Sequence, residues 1–569
     1  MLEKYIKAAK RETKADLVLK NTSYVDVFSG KVRKGDLAIV EDKIVGIGEY
    51  DGIEEIDCKG LTVIPGLIDG HVHIESSQLS PEEFASLIVP RGTTAIIADP
   101  HEIVNVLGMA GCDYIIKASK SVPLDVMINL PSCVPATPFE TSGATISGED
   151  TERYIKIDEI FGLGEFMNYP ALINCDPDAL KKAESAITEG KIIDGHAPSV
   201  SGYDLNAYLC CGISTDHECA TKEEVEEKIS KGMYIHIRHG SSTKNLSNAK
   251  FMTSENSRRF LLCTDDRHAA DLKEYGHIDD ALRRLVKDGI DPVRAVTCAT
   301  LNAAECYNLK NRGGIAPFWL ADLVVVDDLK NFNAKIVIKD GKPVAKDGKA
   351  LFDTTKRYLP ANVLNTVHIR TLAADDFKMD LKSDRAKAIT LQAGGIITDC
   401  EIVNIKRADG DIDVKNTDIL KLAVVERHKM TGNIGRGLLK GYGFKGGALG
   451  LTVSHDSHNI IALGDSNEAM AKAANRLKEI GGGMVIVEEN GEVHSVTLDI
   501  AGLMSSSDAQ NLQRESRALI DLAHKMGVAD GYEPFMSLAF LSLAVIPKLK
   551  LLDTGLFDVG KFQFTSVEA

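Results

Sequence analysis

His71 and His73 are the pair of residues whose types and spacing most directly indicate metal chemistry. They follow an apolar run at residues 61–68, which predicts a buried strand. Side chains at positions i and i+2 of a strand point to the same side, so both imidazoles should project together from its C-terminal end. Two converging neutral imidazoles form half of a binding site for a divalent cation.

Further candidate ligands stand where later apolar strands end. A pair of divalent ions about 3.5–4 Å apart can turn a shared water into hydroxide near neutral pH, and four imidazoles with two carboxylates are enough to hold such a pair. A lone polar residue at a strand end is the simpler interpretation of any one of them, but not of the whole set. The predicted ligands are His71, His73, Glu165, His196, His217 and Asp265.

Such a site requires a fold that brings the ends of many strands together. Helical stretches alternate with the strands, and one of them opens with a capping box, Thr221 to Glu224. Eight strand–helix units in about 250 residues predict an α/β fold of the (β/α)8 TIM-like barrel type, whose active site lies at the C-terminal strand ends. The predicted strands cover residues 61–68, 93–98, 125–129, 160–164, 192–195, 212–215, 234–237 and 259–263.

The rest of the chain predicts two further units. Short strands separated by turn residues occur on both flanks of the barrel, and Asp340-Gly341 predicts a hairpin. A Gly-x-Gly-x-x-Gly match at residues 441–446 shows neither a preceding strand nor a following helix, so it predicts a loop rather than a nucleotide site. The predicted domains are a small β-sandwich from residues 1–66 and 316–365, the barrel at 67–315, and a C-terminal α+β domain at 366–569.

Composition narrows the class of protein. The chain has 569 residues, 44% hydrophobic and 26% charged, as expected of a globular protein of two to four domains. A net charge of −16 argues against nucleic acid or an anionic membrane as the main partner. Eleven cysteines without a C-x-x-C pair, no signal peptide and no apolar run of transmembrane length predict a cytoplasmic protein with reduced thiols.

Residues 65–73, Pro-Gly-Leu-Ile-Asp-Gly-His-Val-His, resemble the opening motif of the amidohydrolase superfamily, which implies a metal-dependent hydrolase on a (β/α)8 barrel. Many members place a carboxylated lysine after the fourth strand, where this chain has Glu165. Over nearly its whole length the chain resembles the bacterial and archaeal adenine deaminase family, including its C-terminal domain. The motifs that carry this resemblance are residues 99–102, 162–168, 194–197, 215–218, 263–268 and 454–459.

The resemblance implies hydrolytic deamination of adenine to hypoxanthine and ammonia, a reaction of purine salvage. It also implies a binuclear Mn²⁺ or Fe²⁺ centre, although the ligand types suit Zn²⁺ as well. Asp265 is then expected to act as general base, while protonated Glu218 donates to N1 of the ring. The simpler alternative for Glu218 is a carboxylate at the start of a helix, where the helix dipole favours it.

Residues near the ligands are expected to contact substrate: Asp99, His101, Glu102, Arg238 and Asp266. For His101 and Glu102, a role in capping the next helix or in binding a further metal is an alternative.

Two features of the sequence leave alternatives open. His455 and His458 either reach the barrel mouth as part of a lid or form a local turn network. The chain also departs from the family at the seventh strand, where the family sequence Arg-Glu-Gly-Ser is replaced by residues 238–241, Arg-His-Gly-Ser. If the family glutamate has a catalytic or charge-pairing role, His239 alters it; otherwise the exchange is a tolerated change outside the site.

Two other functions compete with the deaminase. A cyclic-amide hydrolase resembling dihydropyrimidinase or hydantoinase is the alternative within the superfamily, but Glu165 and the C-terminal domain count against it. A non-catalytic scaffold on a degenerate barrel predicts lost ligands, and none of the six is lost. The expected partners are a small-molecule substrate and, by analogy, a second copy of the chain in a homodimer.

Overall fold

The computed structural model describes residues 2–241, 243–392, 397–408 and 410–569. Its centre is a closed barrel of parallel strands, as the sequence predicts. Five strands form one parallel sheet and three form another, and the sheets are joined by parallel bridges from Val72 to Asp265 and from Ile193 to Ile213. The barrel strands are Leu67–Val72, Thr93–Ala98, Asp125–Leu130, Ile160–Phe166, Ile192–Gly195, Thr215–Asp216, Tyr234–Arg238 and Phe260–Cys263.

Helices cover the outside of the barrel. The predicted capping box is present, because the Thr221 side chain accepts a hydrogen bond from the Glu224 amide. Asp291 caps a later helix by accepting from the Arg294 amide. The helices of this region are Pro81–Ile88, His101–Leu107, Met109–Ser119, Gly148–Tyr154, Tyr169–Ile173, Pro177–Thr188, Gly202–Cys210, Lys222–Ser230, Ala269–Glu274, Ile278–Lys287, Pro292–Cys298 and Leu301–Cys306.

Strands from both flanks of the barrel form a β-sandwich. Its core is apolar and includes Leu17, Ile39, Val63 and Ile338, which come from both sheets. Thr62–Pro65 pairs with Leu323–Val326 across the inserted barrel, so the sandwich holds the two ends of the barrel domain together. One sheet contains Lys43–Gly48, Asp36–Val40, Ala15–Lys20 and Gly52–Asp57; the other contains Lys349–Ala350, Lys342–Lys346, Ala334–Lys339, Leu323–Val326, Thr62–Pro65, Ser23–Asp26 and Lys31–Lys34.

The C-terminal domain is of the predicted α+β type. Its sheet carries helices Asn467–Glu479, Ala509–Lys525 and Pro534–Ala539. Residues 441–446 form a loop between two strands of this sheet; contrary to the expectation from the sequence a strand does precede it, but a strand and not a helix follows. In spatial order the sheet contains Thr398–Asn404, Arg385–Leu391, Ile434–Lys440, Ile419–Val425, Ile460–Gly464, Gly447–Leu451, Gly483–Glu488 and Val493–Thr497.

The C-terminal domain packs on the loop that follows the third barrel strand. Phe139 of that loop lies 4.9 Å, between ring centroids, from Phe557. The Thr141 amide donates to Asp553, and the Asn459 side chain donates to the Thr141 carbonyl. In the described part of the chain, no helix has the length and apolar character needed to cross a bilayer.

Candidate functional site

The first and last barrel strands meet at the centre of the site. A Cβ atom on Gly70 would lie 2.4 Å from a methyl group of Leu261 and 3.1 Å from the Leu262 carbonyl, so any larger residue here would force the Leu261 side chain to move. The Asp265 amide donates to the His71 carbonyl, and the Asp265 Oδ1 atom lies 3.1 Å from His73 Nε2 and 3.4 Å from His71 Nε2. The contact between these two strands therefore places the Asp265 carboxylate beside His71 and His73.

Glu165 lies between two pairs of histidines. Its Oε1 atom lies 3.3 Å from His73 Nε2 and 3.7 Å from His71 Nε2. Its Oε2 atom lies 2.8 Å from His196 Nδ1 and 3.3 Å from His217 Nε2. One carboxylate thus presents one oxygen to each pair, which is the arrangement of a ligand shared by two cations.

The protonation pattern of His73 fits a cation in this space. Its Nδ1–H lies 2.8 Å from the Asp99 carbonyl and donates to it, which leaves the lone pair on Nε2. That lone pair faces His71 Nε2 at 3.2 Å and the Asp265 carboxylate, so electron-rich atoms converge in a buried space. One ligand atom from each of His71, Glu165, His217 and Asp265 lies within 4.8 Å of all the others. This donor set suits a divalent transition metal.

Buried charges at the centre stabilise one another. Burial alone would raise the pKa of Glu165, but His196 and His217 hold that pKa well below its ordinary value. Burial alone would likewise raise the pKa of Asp265, and Arg238 above all holds it well below the usual range. Both carboxyl groups are therefore anionic at neutral pH and available as ligands.

Arg238 joins the two predicted catalytic carboxylates. Its Nη1 atom lies 2.9 Å from Asp265 Oδ2 and also pairs with Glu218 Oε1. Glu218 lies on the side of the second histidine pair, with Oε1 3.5 Å from His217 Nε2. Arg238 is only 7% exposed and its guanidinium group already contacts two carboxylates, so its contacts position Asp265 and Glu218. A direct contact with substrate stays a prediction for this residue.

Asp99 supports the shared carboxylate from behind. Its Oδ2 atom accepts a hydrogen bond of 2.8 Å from the Glu165 amide. A Cβ atom on Gly164 would lie 2.1 Å from that oxygen, so glycine is needed at this position. Burial raises the pKa of Asp99 to about 7. Asp99 thus fixes the backbone of Glu165, and its predicted contact with substrate stays untested.

Three polar residues connect the site to an open cavity. Ser76 Oγ donates to Glu102 Oε1 at 2.8 Å and contacts Asp266 Oδ1 at 2.5 Å, which links two predicted substrate contacts. A cavity of about 880 Å³ is lined by Ser76, Asp266 and residues of the C-terminal domain. Glu75, rather than His101 or Glu102, accepts from the Ile103 amide at the start of the next helix. His101 instead lies with Nδ1 3.7 Å from Glu165 Oε1.

Asp194 is a member of the site for which no role is predicted from the sequence. Its Oδ2 atom lies 3.9 Å from His71 Nδ1, and its Oδ1 atom accepts from Tyr307 and Thr215 at 2.9 Å each. Asp194 lies in the strand Ile192–Gly195 and His196 directly follows the end of that strand, so the i, i+2 spacing favours the same side for both side chains. That rule could have identified it.

His239, at the predicted departure from the family sequence, belongs to a buried ion network. His239 Nε2 lies 2.7 Å from Asp280 Oδ2, and Arg267 donates both to the same carboxylate and to the His239 carbonyl. Among the hydrogen bonds and ion pairs of the described residues, its side chain makes none with the six predicted ligands. In this structure His239 therefore packs beside the site, in contact with Asp280 and Arg267.

His455 and His458 lie over the barrel mouth, next to Glu102. Glu102 Oε1 lies 3.8 Å from His455 Nδ1, and Oε2 lies 3.8 Å from His458 Nε2. The Ser454 amide donates to His458 Nδ1 at 3.2 Å, so the ring proton is on Nε2 and this nitrogen has no lone pair for a metal. The interpretation of Glu102 as a ligand of a further metal gains no support from His458.

Comparisons with known proteins agree over the whole chain. Residues 62–344 match the amidohydrolase family, and residues 395–563 match the adenine deaminase C-terminal domain. The adenine deaminase of Clostridium acetobutylicum is 46% identical over 99% of this chain and 99% of its own length. Adenine deaminase 2 of Desulfotalea psychrophila is 46% identical over 100% of this chain and 99% of its own length. This chain, an amidohydrolase, belongs to the adenine deaminase family.

Proposed function

We propose that this protein hydrolyses adenine to hypoxanthine and ammonia in the cytoplasm, as a step of purine salvage. The observation that carries the proposal is the Glu165 carboxylate, whose two oxygens face two histidine pairs in a chain of this family. The glutamate at this position also counts against the cyclic-amide hydrolase.

The residues present suit two divalent cations, for which we propose Mn²⁺ or Fe²⁺, with Zn²⁺ also compatible with the ligand types. His71, His73 and Asp265 would hold one cation, His196 and His217 the other, and Glu165 both. When bound, such a pair lowers the pKa of a water molecule at the site towards neutrality.

Asp265 accepts the proton of the attacking water. Its Oδ1 atom faces the first histidine pair, while Oδ2 is held by Arg238, so the carboxylate is fixed beside the reacting atoms. The water oxygen forms a bond to C6 of adenine, the bond from C6 to the exocyclic nitrogen breaks, and that nitrogen leaves as ammonia. Arg238 keeps Asp265 deprotonated before attack because it lowers the pKa of that carboxyl.

Glu218 carries a proton to the substrate. In the protonated state it donates to N1 as the bond to C6 forms. The remaining proton of the attacking water then passes through Glu218 to the leaving amine, and the proton held by Asp265 returns Glu218 to its acid form, so that the two protons of water end on N1 and on ammonia. Its contact with Arg238 joins it to Asp265, so the group that takes a proton and the group that gives one are held in a single unit.

The test uses the full chain after removal of metal with a chelator. Mn²⁺, Fe²⁺ or Zn²⁺ is added back, and ammonia and hypoxanthine are measured with adenine as substrate. We expect equal amounts of both products with at least one metal. Absence of ammonia with every metal would refute the deaminase, and turnover of dihydrouracil or hydantoin instead would support the cyclic-amide hydrolase. Light scattering of the same sample tests the expected homodimer.

A further inference from the structure

Residues 454–459 of the C-terminal domain, here called the roof segment, are held rigidly over the barrel mouth. The His455 amide donates to the Ala539 carbonyl at 2.9 Å, and Ser542 Oγ donates to the His455 carbonyl at 3.1 Å. At the other end, Asn459 donates to the Thr141 carbonyl of the barrel domain at 2.8 Å. The segment is therefore fixed by both domains before any ligand arrives, which favours a binding role.

Three buried polar atoms under the roof segment have no hydrogen-bond partner. They are Glu102 Oε2, Asp456 Oδ2 and His458 Nε2, and their residues are 1%, 3% and 0% exposed. Buried polar groups are almost always satisfied in folded proteins, so an unsatisfied group needs an explanation. Two of the three atoms are carboxylate oxygens, which accept hydrogen bonds; a ligand with N–H groups would satisfy them.

Asp456 is the buried carboxylate of the roof segment, and its Oδ2 atom is the one without a partner. Burial raises the pKa of this carboxyl to about 7; the charges of Glu165 and Asp266 also raise it, and that of His73 lowers it. Its neighbour His455 lines the cavity, and the His455 ring is stacked on Phe540 with centroids 4.6 Å apart. The roof segment thus offers a flat ring at the cavity and, in the next residue, a buried carboxylate with one oxygen that has no hydrogen-bond partner.

We propose that His455 and Asp456 contact the substrate and bind the imidazole-ring edge of a free 6-aminopurine, so that bases substituted at that edge are rejected. The inference rests on the proposed function, because attack at C6 turns that carbon towards the metal ligands and the N9 edge away from them. The ring N–H of a free base can donate to the buried carboxylate. A base substituted at N9 has no such hydrogen and would leave the carboxylate unpaired.

A third cation held by Glu102, His455 and His458 is the competing explanation for these atoms. The hydrogen bond from the Ser454 amide to His458 Nδ1 counts against it, because it leaves the proton on the nitrogen that faces Glu102. Metal analysis of the variants below separates the two explanations.

The variants are Asp456→Ala, Asp456→Asn and His455→Ala in the full chain loaded with Mn²⁺. The matched control is Asp553→Asn, another aspartate that is 3% exposed and contacts the barrel domain through Thr141, but whose two carboxylate oxygens both already accept hydrogen bonds. The measurements are KM and kcat for adenine, Kd for hypoxanthine by equilibrium dialysis, and bound manganese per chain.

We expect Asp456→Ala to raise both KM and Kd about 10- to 100-fold, with a smaller rise for Asp456→Asn because its amide oxygen still accepts. Bound manganese stays at the wild-type value, and the control behaves as wild type. In Asp456→Ala, we expect a smaller ratio of kcat/KM for adenine to kcat/KM for 9-methyladenine than in the wild type.

Unchanged KM and Kd in both Asp456→Ala and His455→Ala would overturn the inference. Loss of one manganese per chain in these variants would overturn it in favour of the third cation. If the wild type releases no ammonia from adenine, the proposed function fails. The Kd for hypoxanthine then still shows whether the roof segment binds a purine.

Discussion

Replacing Arg238 with methionine would remove the positive charge between the buried Asp265 carboxylate and the half-buried Glu218 carboxylate. Arg238 is 7% exposed, and its partners Asp265 and Glu218 have side chains only 5% and 20% exposed. Removing one partner of a buried ion pair costs about 3–5 kcal/mol, because the remaining charge stays buried without compensation. We expect Arg238→Met to lower the free energy of unfolding of the metal-free chain by that amount.

The matched control is Arg258→Met, on the surface of the barrel. Arg258 pairs with Glu305, and the two side chains are 44% and 46% exposed, so its loss should change stability by about 1 kcal/mol or less. Urea unfolding of chelated samples, followed by far-ultraviolet circular dichroism, measures both. Equal losses in the two variants would refute the assignment of Arg238 to a buried ion network.

The same variant makes a prediction about pH. Burial acts to raise the pKa of Asp265, and Arg238 is the main group that lowers it, so removing Arg238 should raise that pKa. A carboxyl group whose pKa is lower in the folded chain than in the unfolded chain stabilises the folded state at pH values above its unfolded-state pKa. This stabilisation is lost as the pH falls through the folded-state pKa. The stability gap between wild type and Arg238→Met should therefore be widest at neutral pH and close in acid. The acidic limb of kcat/KM should move to higher pH, and an unmoved limb would contradict the role of Arg238.

Three further variants test other parts of the site. Glu165→Gln should reduce bound metal, measured by mass spectrometry, and abolish ammonia release, because the amide turns an N–H group towards one histidine pair; full metal content would argue against a shared ligand. Glu218→Gln should keep its metal and lower kcat about 10²- to 10⁴-fold, and an unchanged kcat would exclude it from proton transfer. His239→Gln should keep kcat/KM but lower stability by about 1.5–3 kcal/mol, because it weakens a hydrogen bond to the charged Asp280. A large loss of activity would mean that His239 affects the metal centre.

The sequence was informative about the ligands because of how a parallel barrel is built. All of its strands end at the same mouth, so a ligand at a strand end reaches the site whatever the exact length of the strand. His217 illustrates this. The sequence predicts the sixth strand at residues 212–215, whereas the structure has it at Thr215–Asp216. His217 Nε2 nevertheless lies 3.3 Å from Glu165 Oε2. The contact of Asp99 with the Glu165 amide could not be predicted from the strand pattern alone, because it depends on the space beside Gly164, which has no side chain.

The roof segment could not be placed from the sequence for a different reason. A local pattern fixes the direction of a side chain relative to its own strand or helix, but not relative to another domain. His455 reaches Glu102 because the C-terminal domain packs on the loop around Phe139, a contact between residues more than 400 positions apart. The sequence Ser-His-Asp in a turn is compatible with several different local hydrogen-bond networks, so it does not predict which one forms. If Asp456→Ala weakens purine binding as expected, the site is completed by an interface between domains, and neither domain's sequence pattern alone contains that information.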